Sequence, residues 1–173
     1  MSRADGKNWT AQTYVQSHGP DLYRRTMYTF WKRTSPPPTL TTFDAPDRET
    51  CTVRRQRTNT PLQALVLMND PTYIEASRKL AERLMKEAKS DKDRVTLAYR
   101  LAMGRAPKAE EIRVLLKLYE EQLKAYRAND QAASKLLGVG ESGRNESLNQ
   151  AELAAWTVVA STVLNLDETV TKG

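Results

Sequence analysis

The sequence predicts an all-α protein, an irregular multi-helix bundle with an extended, arginine-rich N-terminal lead-in that has room for one short strand. Three observations lead to that class. Ile112, Leu115, Leu116, Tyr119, Leu123 and Tyr126 fall on one face of a single helix. Two further helices open with the same grammar, a capping residue followed by proline, at Thr60-Pro61 and Asp70-Pro71. Before residue 60 no period persists, and prolines and arginines accumulate instead. The expected organisation is a lead-in over residues 1–60, with one helix and a Pro- and Arg-rich ordered loop, followed by a helical bundle over 61–173. Together they would form one domain, and from so irregular an opening it is expected to be the C-terminal part of a larger protein.

Taken in order, residues 1–20 are polar and punctuated by Asp5-Gly6 and Gly19-Pro20, with residues 9–15 as the candidate strand. His18 sits in a Ser-His-Gly-Pro stretch and reads as an exposed turn. In residues 21–33, Tyr23, Met27, Phe30 and Trp31 lie at helical spacing and Pro20 with Asp21 offers a start, so a helix is expected, although the aromatics also fit a strand. Ser35-Pro36-Pro37-Pro38 ends it in a polyproline-like run. Residues 40–59 then read as an ordered loop, long enough to signify function or disorder.

Thr60-Pro61-Leu62-Gln63 is a capping box: the Thr60 hydroxyl accepts from the Gln63 amide and the Gln63 side chain reaches back to the Thr60 amide. The helix it opens, residues 61–68, is almost wholly apolar and is expected to be buried. Asp70 caps the next helix, 71–89, whose apolar stripe includes the stem of Arg78. Ser90-x-x-Asp93 opens residues 91–103, which close at Gly104. Pro107 begins the long striped helix, Asn129-Asp130 breaks it, a short helix runs to Leu137, and residues 138–145 are expected to form a flexible loop. Residues 148–166 are apolar nearly all round, as in a helix packed on several sides.

Charge is concentrated where periodicity is absent. The chain carries 27 Lys and Arg against 21 acids, for a formal net charge of +6. Residues 1–60 hold ten of those cations and only five of the acids, and the rest is nearly neutral. The candidate binding residues are Asp44, Asp47, Arg48, Arg54, Arg55, Arg57 and Asn59, because guanidinium forks just before a helix N-terminus suit carboxylate, phosphate or sulfate. The competing reading is that Asp44, Asp47 and Glu49 neutralise these arginines within their own loop.

Other motifs subtract functions. One cysteine and one histidine cannot fill a closed zinc site, and C-x-x-C-H is absent, so neither a metal nor haem is expected in this chain. Cys51 has no base beside it and reads as a buried or partner-bonded thiol rather than a nucleophile. Gly138-x-Gly140-x-x-Gly143 matches a dinucleotide fingerprint in letters, but it follows a helix rather than a strand. Glu110-Glu111 and Glu120-Glu121 read as solvated helix surface. No apolar run is long enough for a membrane helix, and a targeting signal, if there is one, lies outside this chain.

Several strings together resemble a planctomycete-specific C-terminal domain of unknown function, the PSD family. They are RRTMYTFWKRT (24–34), FDAPDRE (43–49), Cys51, Arg54-Arg55, RTNTPLQAL (57–65), LMNDP (67–71), GRAP (104–107), AAW (154–156) and NLDE (165–168). The resemblance implies an exported or periplasmic multidomain protein with a cytochrome-c-like segment upstream, so that haem is carried elsewhere in the parent. It implies no catalytic residues. Three functions follow in order of preference. The first is an interaction module that docks upstream domains of the same parent, or an anionic glycan bearing sulfate or uronate, through residues 44–57. The second is one wall of an active site for redox or polysaccharide chemistry, completed by an upstream domain. The third, nucleic-acid binding, is the weakest, because the local net charge is modest and no nucleic-acid motif is present.

Overall fold

The computed structural model describes residues 2–3, 15–29, 31, 36–46, 50–54 and 56–171, and over them the chain is all-α apart from one two-residue strand pair. Its contacts divide it into two compact units, Met1–Thr58 and Asn59–Gly173.

In the first unit, β1 (Ser2–Arg3) pairs antiparallel with β2 (Val15–Gln16), Ser2 opposite Gln16 and Arg3 opposite Val15. Of the expected strand at 9–15, only Val15 lies among the described residues. The helix expected over 21–33 is not an α-helix where it is described. Short 3-10 turns occupy Gly19–Tyr23 and Thr26–Tyr28, with Arg24 and Arg25 extended between them. An amphipathic helix is held mainly by burial of its stripe, and here Tyr23 and Met27 of that stripe remain 58% and 69% exposed. Local contacts hold the turns instead: Arg24 pairs with Asp21 at 2.9 Å, and the Arg25 guanidinium lies 5.8 Å from the Tyr28 ring centroid. Pro37 stays extended, but Pro38 begins a five-residue helix, α1 (Pro38–Thr42), so the stretch from residue 40 is not irregular throughout.

The second unit is a bundle of seven helices: α2 (Pro61–Asn69), α3 (Pro71–Glu87), α4 (Asp91–Met103), α5 (Ala109–Ala128), α6 (Asp130–Leu137), α7 (Gln150–Leu164) and α8 (Asp167–Val170). Most of the starts have a local cause. Ser90 accepts from the Asp93 amide, Asn129 from Ala132 and Asn149 from Glu152, each supplying an acceptor to an otherwise orphaned helical N–H. α4 ends at Gly104, which takes φ 76° and donates its N–H to Arg100 O at 3.1 Å. A side chain there would carry the cost of the left-handed region, so glycine is the terminator the backbone needs.

α7 is the hub, and α3, α5 and α6 close on it from different sides. Leu153, Ala154, Ala155, Trp156, Val159, Ala160 and Val163 are all buried, and the alanines let neighbouring backbones approach closely. Around them pack Ala81 and Leu84 of α3, Val95, Ala98 and Tyr99 of α4, Leu115 and Tyr119 of α5, and Leu137 of α6. Trp156 stacks on Tyr119 with ring centroids 4.6 Å apart, and Arg94 covers it with its guanidinium 5.6 Å from the ring. Burial of each large apolar side chain contributes about 1.5–3 kcal/mol, which is why this stripe organises the unit.

Candidate functional site

The arginine-bearing loop belongs to the first unit, and one residue shapes it. Past the end of α1, Asp44 adopts φ 58°, the one non-glycine residue with positive φ among the described residues. Aspartate is among the few side chains that tolerate this region, because a short polar group can bond locally. The Asp44 amide donates to Thr41 O at 3.2 Å and the Ala45 amide to Leu40 O at 2.9 Å, so the chain reverses sharply. The Asp44 carboxylate then accepts from both the amide and the hydroxyl of Thr58, each at 2.8 Å. Bonds to a charged acceptor contribute about 1.5–3 kcal/mol each, so this pair clamps the base of the loop.

Beyond the clamp the described residues are open to solvent. Cys51, Thr52, Val53, Arg54, Gln56 and Arg57 are all exposed, and Val53 is exposed completely, at 104%. Arg54 makes no ion pair among the described residues. Asp47, Arg48 and Arg55 lie outside the described residues. Cys51 is exposed in the open part of the loop, which removes the buried alternative of the expectation and leaves that of a partner-bonded thiol. Asp44, by contrast, is a half-buried clamp, a role that only its backbone conformation reveals.

Asn59 lies across the boundary in the second unit, where its amide donates to the Asp167 carboxylate at 2.5 Å and ties the start of that unit to α8. Thr60 and Gln63 form both bonds of the capping box, at 2.9 and 3.3 Å, and Asp70 accepts from the Thr72 amide at 2.8 Å. The capping box has a consequence for α2. It turns Gln63 inward until only 1% of it is exposed, while Leu62, Leu65 and Met68 are 56%, 54% and 50% exposed. α2 is therefore not buried as its composition predicts; its polar residue faces in and an apolar stripe faces out.

Two polar clusters in the second unit are absent from the sequence reading. The first lies on α3. Arg78, 2% exposed, donates to Leu137 O and Ser142 O; Glu75 accepts from the Glu141 amide at 2.7 Å, and Glu82 from the Asn145 amide at 2.9 Å. Residues 138–145 are thus a strap pinned across α3, not a flexible loop. Gly140, at φ 91°, passes so close that an added Cβ would fall on the Glu75 carboxylate. The available signal was charge at 75, 78 and 82, spaced as a helix face that also carries Ala81 and Leu84.

The second cluster centres on Arg105, which bonds Glu111 in a two-pronged arrangement at 2.7 and 2.9 Å and Glu168 at 2.7 Å through each of two nitrogens. Glu111 is therefore an ion-pair partner and not simply solvated surface. Its carboxyl is pulled down to about 2, first by the Arg105 hydrogen bonds and then by the Lys108 amide. Among the described residues no group of three or more His, Cys, Asp or Glu is placed to hold a metal ion. No helix among them is long and apolar enough to cross a membrane.

The model of a family described as a protein of unknown function, DUF1553, matches residues 3–119. The chain belongs to this family. The DUF1553 match takes in the clamp, the arginine loop, α2 to α4 and the first half of α5. No curated protein and no solved structure matches the chain. Chemistry at the site must accordingly be argued from its own residues: a loop drawn together at its base, offering a guanidinium beside a bare valine and a thiol.

Proposed function

We propose that this chain is an interaction module that docks an acidic surface of a partner protein domain through the loop at 44–57. The observation that carries the reading is the Asp44–Thr58 clamp, which holds at its base a loop whose described residues over 50–57 are open to solvent. Loops whose ends are drawn together are frequent carriers of recognition, because the ordering cost is met before the partner arrives. Val53 beside Arg54 favours a protein over a glycan, since an apolar contact flanked by a cation is the composition of an interface core and its rim. On this reading the partner is an upstream domain of a longer, exported parent, and covalent continuity would raise its effective concentration enough for a small contact to suffice.

The test places a photo-crosslinking amino acid at position 51, which is exposed in the open part of the loop. In the longer parent it should join the loop to an Asp- or Glu-rich surface of another domain, and Arg54→Glu should abolish that product. Calorimetry against sulfated and desulfated polysaccharides supplies the opposing outcome. Binding that requires sulfate and is lost in Arg54→Glu would replace the protein partner with a glycan.

A further inference from the structure

A second surface lies in the helical unit, independent of the loop. α5 and the first turn of α4 border an open groove of about 500 Å³. Its floor is apolar, formed by Ile112 and Leu116, which are only partly covered and pack against the core from outside. Its walls carry Lys92, Arg113 and Lys117, opposed by one acid, Glu120.

Those cations are placed at a cost to the free protein. Arg113 and Lys117 stand four apart on one helix, a like-charge spacing that destabilises by about 0.2–0.5 kcal/mol. Lys92 sits in the first turn of α4, where the helix dipole disfavours positive charge. Two nearby acids are engaged elsewhere, Asp93 accepting from Ser90 and Asp91 binding Arg94 at 2.8 Å, while Lys117 has a long, exposed pair with Glu121 at 4.0 Å. Among the described residues, Lys92 and Arg113 have no ion-pair partner.

We propose that this groove docks an acidic amphipathic helix from a partner protein, its apolar side chains on Ile112 and Leu116 and its carboxylates against Lys92, Arg113 and Lys117. Charge complementarity selects the acidic occupant. The floor selects a helix, because Ala109, Ile112 and Leu116 form a helical stripe about 11 Å long at 1.5 Å per residue, enough for two turns of a helix laid alongside. A small-molecule pocket would enclose its ligand, whereas this is an open trough with charged side chains along its border.

The experiment is fluorescence anisotropy of a labelled synthetic helix-forming peptide with leucines at three- and four-residue spacing and glutamates on the flanks, titrated with the full chain. Binding should fall about tenfold in the double variant Arg113→Glu, Lys117→Glu. Both side chains are exposed, so the variant should keep the far-UV circular dichroism and melting temperature of the parent. A peptide with lysine for glutamate should recover binding to that variant alone. Equal binding by the variant and the parent protein overturns the proposal. So does undiminished binding of a peptide whose leucines are replaced by serine, which would reduce the groove to plain electrostatics. Displacement of the peptide by dodecanoate at lower concentration than by unlabelled peptide would overturn it in favour of a small anionic amphiphile.

Discussion

Asp44 meets two requirements at one position, a left-handed backbone and a carboxylate aimed at Thr58. Asp44→Asn retains most of the backbone tolerance and loses the charge, whereas Asp44→Ala loses both. The expected order of stability is therefore parent, Asn variant, Ala variant, with the Ala variant lower by about 1–3 kcal/mol in urea unfolding. Hydrogen exchange separates the clamp from the rest of the fold: the Thr58 amide should lose protection in both variants while the amides of α7 keep theirs. Unchanged exchange at Thr58 would mean the loop is held by other contacts. Gly140 is the other position where a single atom decides. Gly140→Ala should destabilise strongly, since its backbone lies at φ 91° and its Cβ would displace Glu75 from the Glu141 amide.

At the scale of elements, α3 shows why part of the bundle could be read from sequence and part could not. The stripe from Ile112 to Tyr126 is legible because its main partner surface, α7, is apolar nearly all round its central turns, so an apolar face that meets it there is satisfied. Arg78 looks like a snorkelling surface residue until residues 137 and 142, far along the chain, bring two carbonyls to its guanidinium. One of them, Leu137 O, is an orphan acceptor at the end of α6. Arg78→Met should therefore cost roughly 3 kcal/mol, because volume is nearly kept while one buried and one part-buried carbonyl lose their donor. Calorimetric melting of the variant measures it, and a loss no larger than that of an exposed arginine would refute the buried role. The failures in the lead-in have the complementary cause. Tyr23 and Met27 carry helical spacing but bury no stripe, and spacing without burial does not make a helix. In the candidate site, the arginines and Asp44 were legible as a cluster, but Asp44's clamping role depends on the sign of φ, which no residue pattern encodes. α2 inverts for a local reason as well: the capping box fixes the rotation of its first turn, and the rest of the helix must follow. Thr60→Ala should cost about 0.5–2 kcal/mol, and tryptophan or dye-binding probes of the Leu62, Leu65 and Met68 stripe would report whether the helix rotates when that constraint is removed.

Across the whole molecule, the helical unit is held at its periphery by an electrostatic tie that reads directly as acid sensitivity. Arg105 stands at the corner between α4 and α5, holds Glu111 in the first turn of α5, reaches Glu168 on α8, and lies 5.1 Å from the centroid of the Tyr99 ring on α4. Both carboxyls titrate below their ordinary range because the guanidinium favours their charged forms, Glu111 falling to about 2. A carboxyl whose folded value is depressed releases its proton more readily in the folded chain, so its charge stabilises the fold above its unfolded value. For Glu111 that contribution is complete above pH 4.5 and is lost as pH falls from there through about 2. Glu111→Gln removes the charge at every pH, so the stability gap between parent and variant in urea unfolding should be widest above pH 4.5 and should close steadily toward pH 2. Arg105→Gln should show the same closing gap, because it releases both carboxyls at once. If instead the gap for Glu111→Gln is the same at pH 6 and pH 2.5, the carboxylate contributes through shape alone and the tie between α4, α5 and α8 is not electrostatic. The Glu168→Gln variant completes the comparison. A closing gap there as well would show that α8 is fastened by charge, and the Asn59–Asp167 bond on the same short helix predicts that Asn59→Ala adds to its loosening.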